Sequence, residues 1–451
     1  MGIEIGIEWL TLIMFGSLLA LLMAGLPLAF VTGGLACVFL FVLGDARALN
    51  IVPSRIFPLM TNYQLSAIPL FIFMAAMLER AGIINDMFDV IYKVLGGVKG
   101  GLASATIIAS TILAAMVGVI GAAVVTMGII ALPAMLKRHY DPKIAMGSIM
   151  AGGTLGILIP PSILAIIYAV VAEQSVGELF IGAVIPGLML SGMYIAYVTL
   201  RCYINPSLGP AIPVEERISN PEKLKLVGKM AAPITLVVVV LGIIFSGVAT
   251  PVEAAGIGTF GAFIVAAIHR KLDWPTVREA CTTTLKASAM VIWIMFGATI
   301  FVGLYVLEGG QQFVQDALAA TGLGPWGVLI LMQILLVVLG MFLDWVGILL
   351  LCVPIFVPII KALGAAAFGL NNPEDLVLWF GVLYLVNMQM SFLSPPFGYA
   401  LFYLRGVAPD HIPMTDIFKS ALPFLALQIV GLVLCMVFPE IITWLPNLVY
   451  G

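Results

Sequence analysis

Two proline pairs interrupt long apolar stretches and are the residues best placed to do chemistry. The first pair lies in GILIPPSI at 156–163, and the second lies in SFLSPPFG at 391–398. Proline has no backbone N–H and clashes with the helical carbonyl one turn back, so each pair predicts a break in a helix. The free carbonyls that end one half-helix suit a hard cation such as sodium, and the free N–H groups that begin the next suit a carboxylate.

The prolines also predict where the second half of each broken helix begins. Proline is favoured in the first turn of a helix, so we expect new half-helices to begin at Pro161 and Pro396. Polar side chains near the breaks, such as Thr154 and Gln389, then become candidate ligands. The alternative is that these side chains only bond the carbonyls that the break frees.

The two breaks belong to segments that resemble each other. Three pairs of residues coincide when the first motif is slid along the chain onto the second: Pro160 with Pro395, Tyr168 with Tyr403, and Thr154 with Gln389. Further along, ELFIGAVIPG at 178–187 resembles DIFKSALPF at 416–424. The same order of elements in both places predicts an internal repeat, and the alternative is chance similarity between two apolar segments.

An apolar block precedes each break and has a turn near its centre. The first block, 101–137, is divided at Gly118–Gly121 into halves of about 15 residues, which are too short to cross about 30 Å of hydrocarbon. The second block, 327–362, has its turn at Phe342–Gly347. Both patterns predict a re-entrant hairpin that enters the membrane and leaves on the same side. The alternatives are two complete short helices or one kinked span.

The hairpin tips and the breaks together supply the candidate ligands. The substrate-binding candidates are Gly121, Ala122, Thr154, Ser162, Gln389, Ser394 and Gly398. The sodium-binding candidates are Gly118, Gly121, Gly153, Gly156, Pro160, Asp344, Gly347, Asn387 and Ser391. Asp344 could instead be a helix cap, but a buried carboxylate is costly unless it is paired or coordinated, which favours ion binding or stabilisation of the tip.

The composition indicates a membrane protein. Hydrophobic residues make up 62% of the chain and charged residues only 10%, whereas soluble domains carry about 25% charged residues. The run from Trp9 to Gly44 has no Asp, Glu, Lys, Arg or His and fits two spans of about 18 residues, with a break near Gly25 and Pro27. The N-terminus is acidic rather than basic, so no cleavable signal peptide is expected.

Absent motifs and the charge balance argue against several function classes. No GxxxxGK[ST], GxSxG or HExxH sequence is present, so neither ATP hydrolysis nor intramembrane hydrolysis is expected, and the chain is not predicted to be an enzyme. The net charge of −3 gives no reason to expect a nucleic-acid partner. The five cysteines are scattered without a CxxC pair, which disfavours a disulfide or a metal centre.

The distribution of Lys and Arg predicts the orientation of the chain. We place the basic linker 201–229 in the cytoplasm and count five spans and one hairpin in each half. Of the 20 Lys and Arg residues, only Arg47, Arg55 and Lys361 then lie outside. Because five is odd, the second half is inverted relative to the first. An inverted repeat with hairpins and broken helices is a design of secondary transporters.

The predicted fold class is an all-α polytopic membrane protein built as an inverted repeat of two halves. Each half has about five transmembrane helices plus one re-entrant hairpin and one Pro-Pro-broken helix. The first repeat, 1–205, comprises scaffold helices at about 8–98, the hairpin 101–137, the broken helix 144–173 and a helix at 178–204. After a cytoplasmic linker at 206–229, the second repeat, 230–451, comprises scaffold helices at about 231–306, the hairpin 327–362, the broken helix 376–405 and a helix at 415–446.

Six segments resemble the large membrane (DctM-like) subunit of tripartite ATP-independent periplasmic (TRAP) transporters. They are AIPLFIFMAAMLERAG (67–82), GGVKGGLASATIIAS (96–110), KRHYDPKIA (137–145), GTLGILIPPSI (153–163), FLDWVGILLLCVPIFVPI (342–359) and VNMQMSFLSPPFGYALFYLRGVAP (386–409). The Pro-Pro segments are the specific part, and the resemblance covers nearly the whole chain.

The resemblance implies a function, a location and partners. It implies secondary active uptake of an organic acid across the inner membrane of a bacterial cell, driven by a sodium (Na⁺) gradient through an elevator mechanism. It also implies a small four-helix membrane subunit and a periplasmic binding protein that delivers the substrate. The alternatives are a self-sufficient sodium/carboxylate carrier of the same superfamily and a re-entrant-loop channel.

The chain departs from the family pattern at both sites. The first hairpin tip commonly has a Gly-Ser pair where this chain has Gly121 and Ala122. The second broken helix commonly has a glutamate and then a glycine where this chain has Gln389 and Ser391. A hydroxyl and a buried charge are therefore missing. The SFL[ST]PPFG form resembles that of family members assigned to 2-oxo acids, mannitol or aromatic acids, which for this chain favours an organic monocarboxylate (2-oxo or aromatic) over a four-carbon dicarboxylate or sialic acid.

Overall fold

Helices form the regular secondary structure of the chain. The computed structural model describes residues 5–44, 46–118, 120–213, 217, 219–396 and 398–450. Within these ranges the structure contains α-helices and short 3₁₀ turns and no β-strand. The prediction of an all-α protein is confirmed.

Ten α-helices lie in the described part of the chain before the linker. They are α1 (Ile7–Met23), α2 (Leu28–Gly44), α3 (Ile51–Met60), α4 (Ala67–Arg80), α5 (Ile83–Leu95), α6 (Gly101–Val117), α7 (Ile120–Lys137), α8 (Pro142–Thr154), α9 (Ile163–Ala172) and α10 (Val176–Ile204).

Eleven more lie in the described residues from the linker onward. They are α11 (Asn220–Lys229), α12 (Ala231–Phe245), α13 (Pro251–Ile268), α14 (Trp274–Leu307), α15 (Gly310–Ala320), α16 (Pro325–Gly340), α17 (Trp345–Leu363), α18 (Asp375–Leu393), α19 (Tyr399–Arg405), α20 (Met414–Val437) and α21 (Glu440–Tyr450).

The helices are long and apolar enough for repeated membrane crossing. By length and composition, seven helices in the described ranges could cross a membrane, and two bent pairs raise that number to nine. One bent pair joins Arg47–Met60 to Tyr63–Arg80 at 61°, and the other joins Pro221–Gly228 to Ala231–Phe245 at 53°. The chain is therefore a multi-pass membrane protein.

The first apolar run forms two helices with a turn between them. α1 ends at Met23, and Gly25 takes a left-handed conformation with φ of 87°. Such a conformation favours glycine because it has no Cβ. Pro27 then precedes the first residue of α2, so the break lies where the sequence predicts it.

The two intervals predicted as hairpins each contain a pair of helices that pack on each other. In the first interval, the left-handed Gly118, with φ of 59°, separates α6 from α7. The arms of the first interval have 17 and 18 residues instead of about 15, and those of the second have 16 and 19. The first arms are longer than expected because their turn uses fewer residues than the glycine-rich pattern suggested. α7 and α17 are long enough to cross a membrane, so arm length alone does not identify re-entrance.

Both predicted helix breaks are present, but the second half-helices begin later than expected. α9 begins at Ile163 and α19 at Tyr399. The starts predicted at Pro161 and Pro396 are wrong, because the residues that follow, Ser162 and Gly398, take non-helical conformations as the N-caps. Both Pro-Pro peptide bonds are cis.

Two other segments differ from the predicted boundaries. The linker predicted at 206–229 contains α11, whose start is stabilised by a capping box between Ser219 and Glu222. The single helix predicted at 415–446 is instead two helices, α20 and α21. They separate at Phe438 and Pro439, since proline cannot continue the hydrogen bonding of a helix.

The helices pack in reciprocal pairs across the two parts of the chain. α2 packs on α14, and α4 packs on α13. α9, the half-helix after the first break, packs on α17, and α19, after the second break, packs on α7. α8 packs on α20, and α10 packs on α18. Each hairpin therefore supports the half-helix that follows the other break.

Candidate transport site

A cavity of about 830 Å³ lies where the hairpin turns meet the helix breaks. Gly118 and Gly121 reach it from the first turn, and Asp344 reaches it from the second. Ile163 and Tyr399, the first residues of α9 and α19, line it after the breaks. The facing wall comes from the turn between α1 and α2 and from α14. Both turns and both breaks therefore share one cavity.

Glycines let the first turn approach both breaks closely. A Cβ on Gly118 would lie 2.8 Å from the carbonyl oxygen of Pro161 in the first break. A Cβ on Gly121 would lie 3.2 Å from Cζ of Tyr403, one turn into the half-helix that follows the second break. The first turn therefore packs closely between the two breaks, and a larger side chain at either glycine would displace it.

Asp344 caps a helix and lines the cavity at the same time. Its carboxylate accepts a hydrogen bond from the backbone N–H of Val346 at 3.2 Å, which makes it the N-cap of α17. This capping role accounts for an aspartate at this position of the turn even if no ion binds to it. A carboxylate has more acceptor capacity than one N–H uses, so Asp344 can still contribute an oxygen to the cavity.

The hydroxyls of the first break are used within the protein. Thr154 donates to the carbonyl of Ala151 at 2.9 Å and accepts from the side-chain amide of Gln428 at 3.4 Å. Ser162 donates to the carbonyl of Ile157 at 2.5 Å and accepts from a backbone N–H of α9 at 3.3 Å. Both side chains are fully buried and stabilise the broken backbone.

The second break is richer in polar atoms, and several of them are not hydrogen-bonded. Asn387 donates to the backbone oxygen of Gln333 at 2.9 Å and to its side-chain oxygen at 2.7 Å. Neither the oxygen nor the nitrogen of the Gln389 side chain has a protein partner, although the residue is fully buried. The hydroxyl of Ser394 donates to the carbonyl of Met390 at 2.7 Å, and that of Ser391 approaches the carbonyl of Asn387 at 3.5 Å.

Most of the predicted substrate and sodium ligands do not line the cavity. Gly118, Gly121 and Asp344 line it. Ala122 is half-buried beside the first turn, while Gly153, Gly156 and Pro160 are buried in the first break. Gly347 packs against the side chain of Leu28, and a Cβ on Gly398 would lie 2.5 Å from the carbonyl oxygen of Phe392. These last two glycines serve close packing.

Sequence reasoning missed Gln333 and the aromatic lining. Gln333 is the partner of Asn387, and its signal was a lone amide inside the apolar helix α16. Phe392, Tyr399 and Tyr403 line the cavity along the second break. These aromatic residues lie in the Pro-Pro segment 386–409, and Tyr403 corresponds to Tyr168 in the repeat, but their convergence on the cavity becomes visible only when the hairpins are packed against the breaks.

The charged groups of the cavity lining favour a cation over an anion. No Lys, Arg or His is among the described residues that line it, and Asp344 is the acid among them. In the described ranges no group of three or more His, Cys, Asp or Glu side chains could hold a metal ion. The oxygens available along the lining belong to backbone carbonyls, tyrosine hydroxyls and one carboxylate, and such oxygen donors are what a hard cation such as sodium prefers.

Comparisons with known proteins place these features in a family. The family described as "Tripartite ATP-independent periplasmic transporter, DctM component" matches residues 15–441. The C4-dicarboxylate TRAP transporter large permease protein DctM of Rhodobacter capsulatus is 32% identical over 452 residues, covering 97% of this chain and 99% of the relative. The protein of the same name from Vibrio cholerae is 30% identical over 460 residues, covering 97% and 98%.

A solved structure supports the fold. The Alcanivorax borkumensis YdaH transporter has a TM-score of 0.66 with 14% sequence identity, covering 95% of this chain and 99% of that chain. At this identity the likeness concerns the fold alone. The match to the family over most of the chain, together with the apolar helices, leads to one conclusion: this chain belongs to the DctM component family of tripartite ATP-independent periplasmic transporters and is an inner-membrane protein.

Proposed function

We propose that this chain is the permease subunit that takes up an organic acid across the inner membrane, driven by a sodium gradient. The observation that carries the proposal is the convergence of both hairpin turns and both helix breaks on one cavity of about 830 Å³. Irregular backbone is tolerated at membrane depth where it lines such a cavity. The family relation supports solute uptake in general.

We also propose that the chain is an inverted repeat, with halves at 1–205 and 230–451 joined by the linker 206–229. The reciprocal packing supports this, because α2 with α14 and α9 with α17 correspond to α13 with α4 and α19 with α7. Corresponding pairs of this kind are what a two-fold relation between the halves would produce. Cysteine accessibility at the turn after α6 and the turn after α16, read from both sides of sealed vesicles, tests the opposite orientation.

Sodium binding is proposed where backbone oxygens concentrate. One ion would be held between 118–122 and 153–160, and a second between 344–347 and 387–395. The unpaired amide oxygens of Asn387 and Gln389 support the second position, because a buried acceptor without a partner is costly unless a ligand completes it. The bound sodium would also supply positive charge beside a substrate carboxylate, which the cavity lining otherwise lacks.

We also propose an elevator mechanism, which the same packing supports. The hairpins and the half-helices support each other crosswise, so separating them would expose backbone polar groups at a cost of several kcal/mol each in hydrocarbon. Moving them as one body against α2, α4, α13 and α14 would keep those partners. A cysteine pair at Val31 and Ala114 should change its distance with sodium, while a pair at Ala122 and Val346 should stay nearly fixed. If the second pair separates and the first does not, the movement is gating around a static site.

The family relation also supports two partners. A small membrane subunit would cover part of the scaffold, and a periplasmic binding protein would deliver the substrate. The test is uptake by proteoliposomes that contain this chain with and without each partner, under a sodium gradient or in potassium alone. Equal uptake in potassium rejects sodium coupling. Full activity of the chain alone rejects the need for partners and favours a self-sufficient carrier, and a flux that does not saturate favours a channel.

A further inference from the structure

We propose that Gln333 is a positioning residue for sodium binding. Its backbone and side-chain oxygens hold the side-chain amide of Asn387, so that the Asn387 oxygen is left for the ion. The proposal rests on the sodium-driven uptake proposed above and assigns a role to a residue that does not line the cavity. Gln333 lies on α16, the first arm of the second hairpin, and Asn387 lies on α18, ahead of the second break.

The two oxygens of Gln333 fix the orientation of the Asn387 amide. The nitrogen of this amide donates to the backbone oxygen of Gln333 at 2.9 Å and to its side-chain oxygen at 2.7 Å. A backbone carbonyl only accepts hydrogen bonds, so the Asn387 atom that faces it must be the nitrogen. The amide nitrogen carries two hydrogens, and the two oxygens of Gln333 use both. The Asn387 oxygen therefore lies on the side of the planar amide that faces away from these contacts.

The Asn387 oxygen is buried and has no hydrogen-bond partner within the protein. Asn387 is fully buried, and Gln333 is only 5% exposed. An unpaired buried acceptor is costly, so a protein retains one where a ligand completes it. An amide oxygen is a hard donor of the kind that sodium prefers. By taking up both hydrogens of the amide, Gln333 keeps this oxygen available for the ion.

The corresponding contact in the first half shows that packing does not require two amides. Sliding the first motif along the chain so that Pro160 meets Pro395 places Gly152 on Asn387. A Cβ on Gly152 would lie 2.8 Å from the Cβ of Ser110, which lies on α6, the first arm of the first hairpin. Two small residues therefore suffice to pack an arm against a broken helix. The amide pair of the second half is not needed for that purpose alone.

A second close contact holds the amide pair in register. Gly340 lies two turns after Gln333 on α16, and Ser391 lies one turn after Asn387 on α18. A Cβ does not fit on Gly340, because the side chain of Ser391 occupies that space. Two contacts between the same helices fix how α16 lies on α18, which keeps Gln333 opposite Asn387. An ion bound by Asn387 is thereby linked to the arm that carries the second turn.

The test measures sodium binding directly, on the purified full-length chain with its small membrane partner. Thermal unfolding is followed while sodium chloride replaces choline chloride at constant ionic strength, because an ion that binds the folded state raises the unfolding temperature. Gln333→Met keeps the length of the side chain and removes both of its polar atoms. One hydrogen of the Asn387 amide then lacks its acceptor, and the amide turns towards other partners. The half-saturating sodium concentration should rise about tenfold.

Two further variants ask whether Gln333 acts through Asn387. Gln333→Glu keeps a side-chain acceptor for the amide, so its half-saturating sodium concentration should not exceed that of the unsubstituted chain. This variant also tests the proposal if Gln333→Met does not fold. Asn387→Ala should itself raise the half-saturating concentration about tenfold, and adding Gln333→Met to it should change that value less than about twofold further, because the amide that Gln333 positions is already gone.

Gln428→Met is the matched control. Gln428 is also a fully buried glutamine, it donates to the hydroxyl of Thr154 at 3.4 Å, and its side-chain oxygen lacks a protein partner as well. The control therefore removes the same chemical group from another place in the protein. It should lower the unfolding temperature in choline, as Gln333→Met does, and change the half-saturating sodium concentration less than about twofold.

The outcomes separate this proposal from the proposed function. A Gln333→Met variant with unchanged sodium dependence overturns the proposal, because the amide pair then serves stability alone. Equal weakening in Gln428→Met, a tenfold weakening in Gln333→Glu, or a further tenfold loss in the Asn387→Ala background also overturns it. If sodium does not raise the unfolding temperature of the unsubstituted chain above that in choline, the proposed sodium coupling is itself rejected.

Discussion

The two helix breaks share a backbone design and differ in exposure and in polar content. Pro160 and Pro161 are buried, whereas Pro395 is half-buried and Pro396 is exposed. The hydroxyls of the first break are hydrogen-bonded within the protein. The second break contains buried amide atoms that lack a protein partner, those of Gln389 above all.

This difference shows how one motif can serve two purposes. A buried polar group without a partner costs about 1–3 kcal/mol, so a protein retains it where something else completes it. The first break behaves as a closed structural element that supports the first hairpin turn. The second break has unpaired amides and an aromatic wall. We therefore expect a bound ligand to make its more important contacts there.

The largest effect is expected from two glycines at close backbone contacts, one between the first turn and the first break and one within the second break. Gly118→Ala would place a Cβ on a left-handed residue, 2.8 Å from the oxygen of Pro161. Gly398→Ala would place one 2.5 Å from the oxygen of Phe392. Each should lower the free energy of unfolding by about 1–3 kcal/mol and abolish uptake, as measured by thermal unfolding and proteoliposome assays.

Gly256→Ala is the control for both glycine variants. Gly256 lies within α13, and a Cβ there would meet nothing within 4 Å. Alanine should leave uptake intact and change the free energy of unfolding by no more than about 1 kcal/mol, in the stabilising direction. If Gly118→Ala behaves like this control, the close contact between the first turn and the first break is not required.

The next largest effects are expected from substitutions of polar side chains, one in each break. Gln389→Leu removes an amide with no protein partner, so it should raise the free energy of unfolding by about 1–3 kcal/mol and lower sodium-driven uptake about tenfold or more. Thr154→Val removes a hydrogen-bonded hydroxyl. It should lower the free energy of unfolding by about 1 kcal/mol and leave most of the uptake. The opposite pattern would reverse the roles assigned to the two breaks.

A smaller effect is expected at Asp344, where two substitutions can separate the capping role of the side chain from the role of its charge. Asp344→Asn keeps a good N-cap and removes the charge, so thermal unfolding should stay nearly unchanged while the sodium concentration for half-maximal uptake rises about tenfold. Asp344→Ala should additionally cost about 1 kcal/mol of stability. Unchanged sodium dependence in Asp344→Asn would leave only the capping role.

The smallest effect is expected at the cap of the first half-helix. Ser162→Ala removes the N-cap of α9 and should cost about 1 kcal/mol of stability, measured by thermal unfolding. Uptake and its sodium dependence should change less than about twofold, because the hydroxyl is already bonded within the protein. A large loss of sodium affinity would show that the first break binds the ion directly through this side chain.

The sequence by itself determined the class of protein and the places where its helices stop. Long apolar runs require a membrane, and Pro and Gly act on the backbone of their own neighbourhood, so the breaks at the two proline pairs and the turn at Gly118 could be read from a few adjacent residues. The exact starts of α9 and α19 were missed, because the capping geometry at Ser162 and Gly398 depends on how the break is folded.

The tertiary structure alone decided which distant side chains meet. Asn387 is hydrogen-bonded to Gln333 and Thr154 to Gln428 beside the breaks, and Tyr403 lies against Gly121 at the cavity, all across large separations in the chain. The same packing leaves the Gln389 side chain without a protein partner and brings aromatic side chains of the second break to the cavity. Pairing between distant residues depends on how whole helices pack, and hydrophobic patterning specifies that a face is buried without specifying against what.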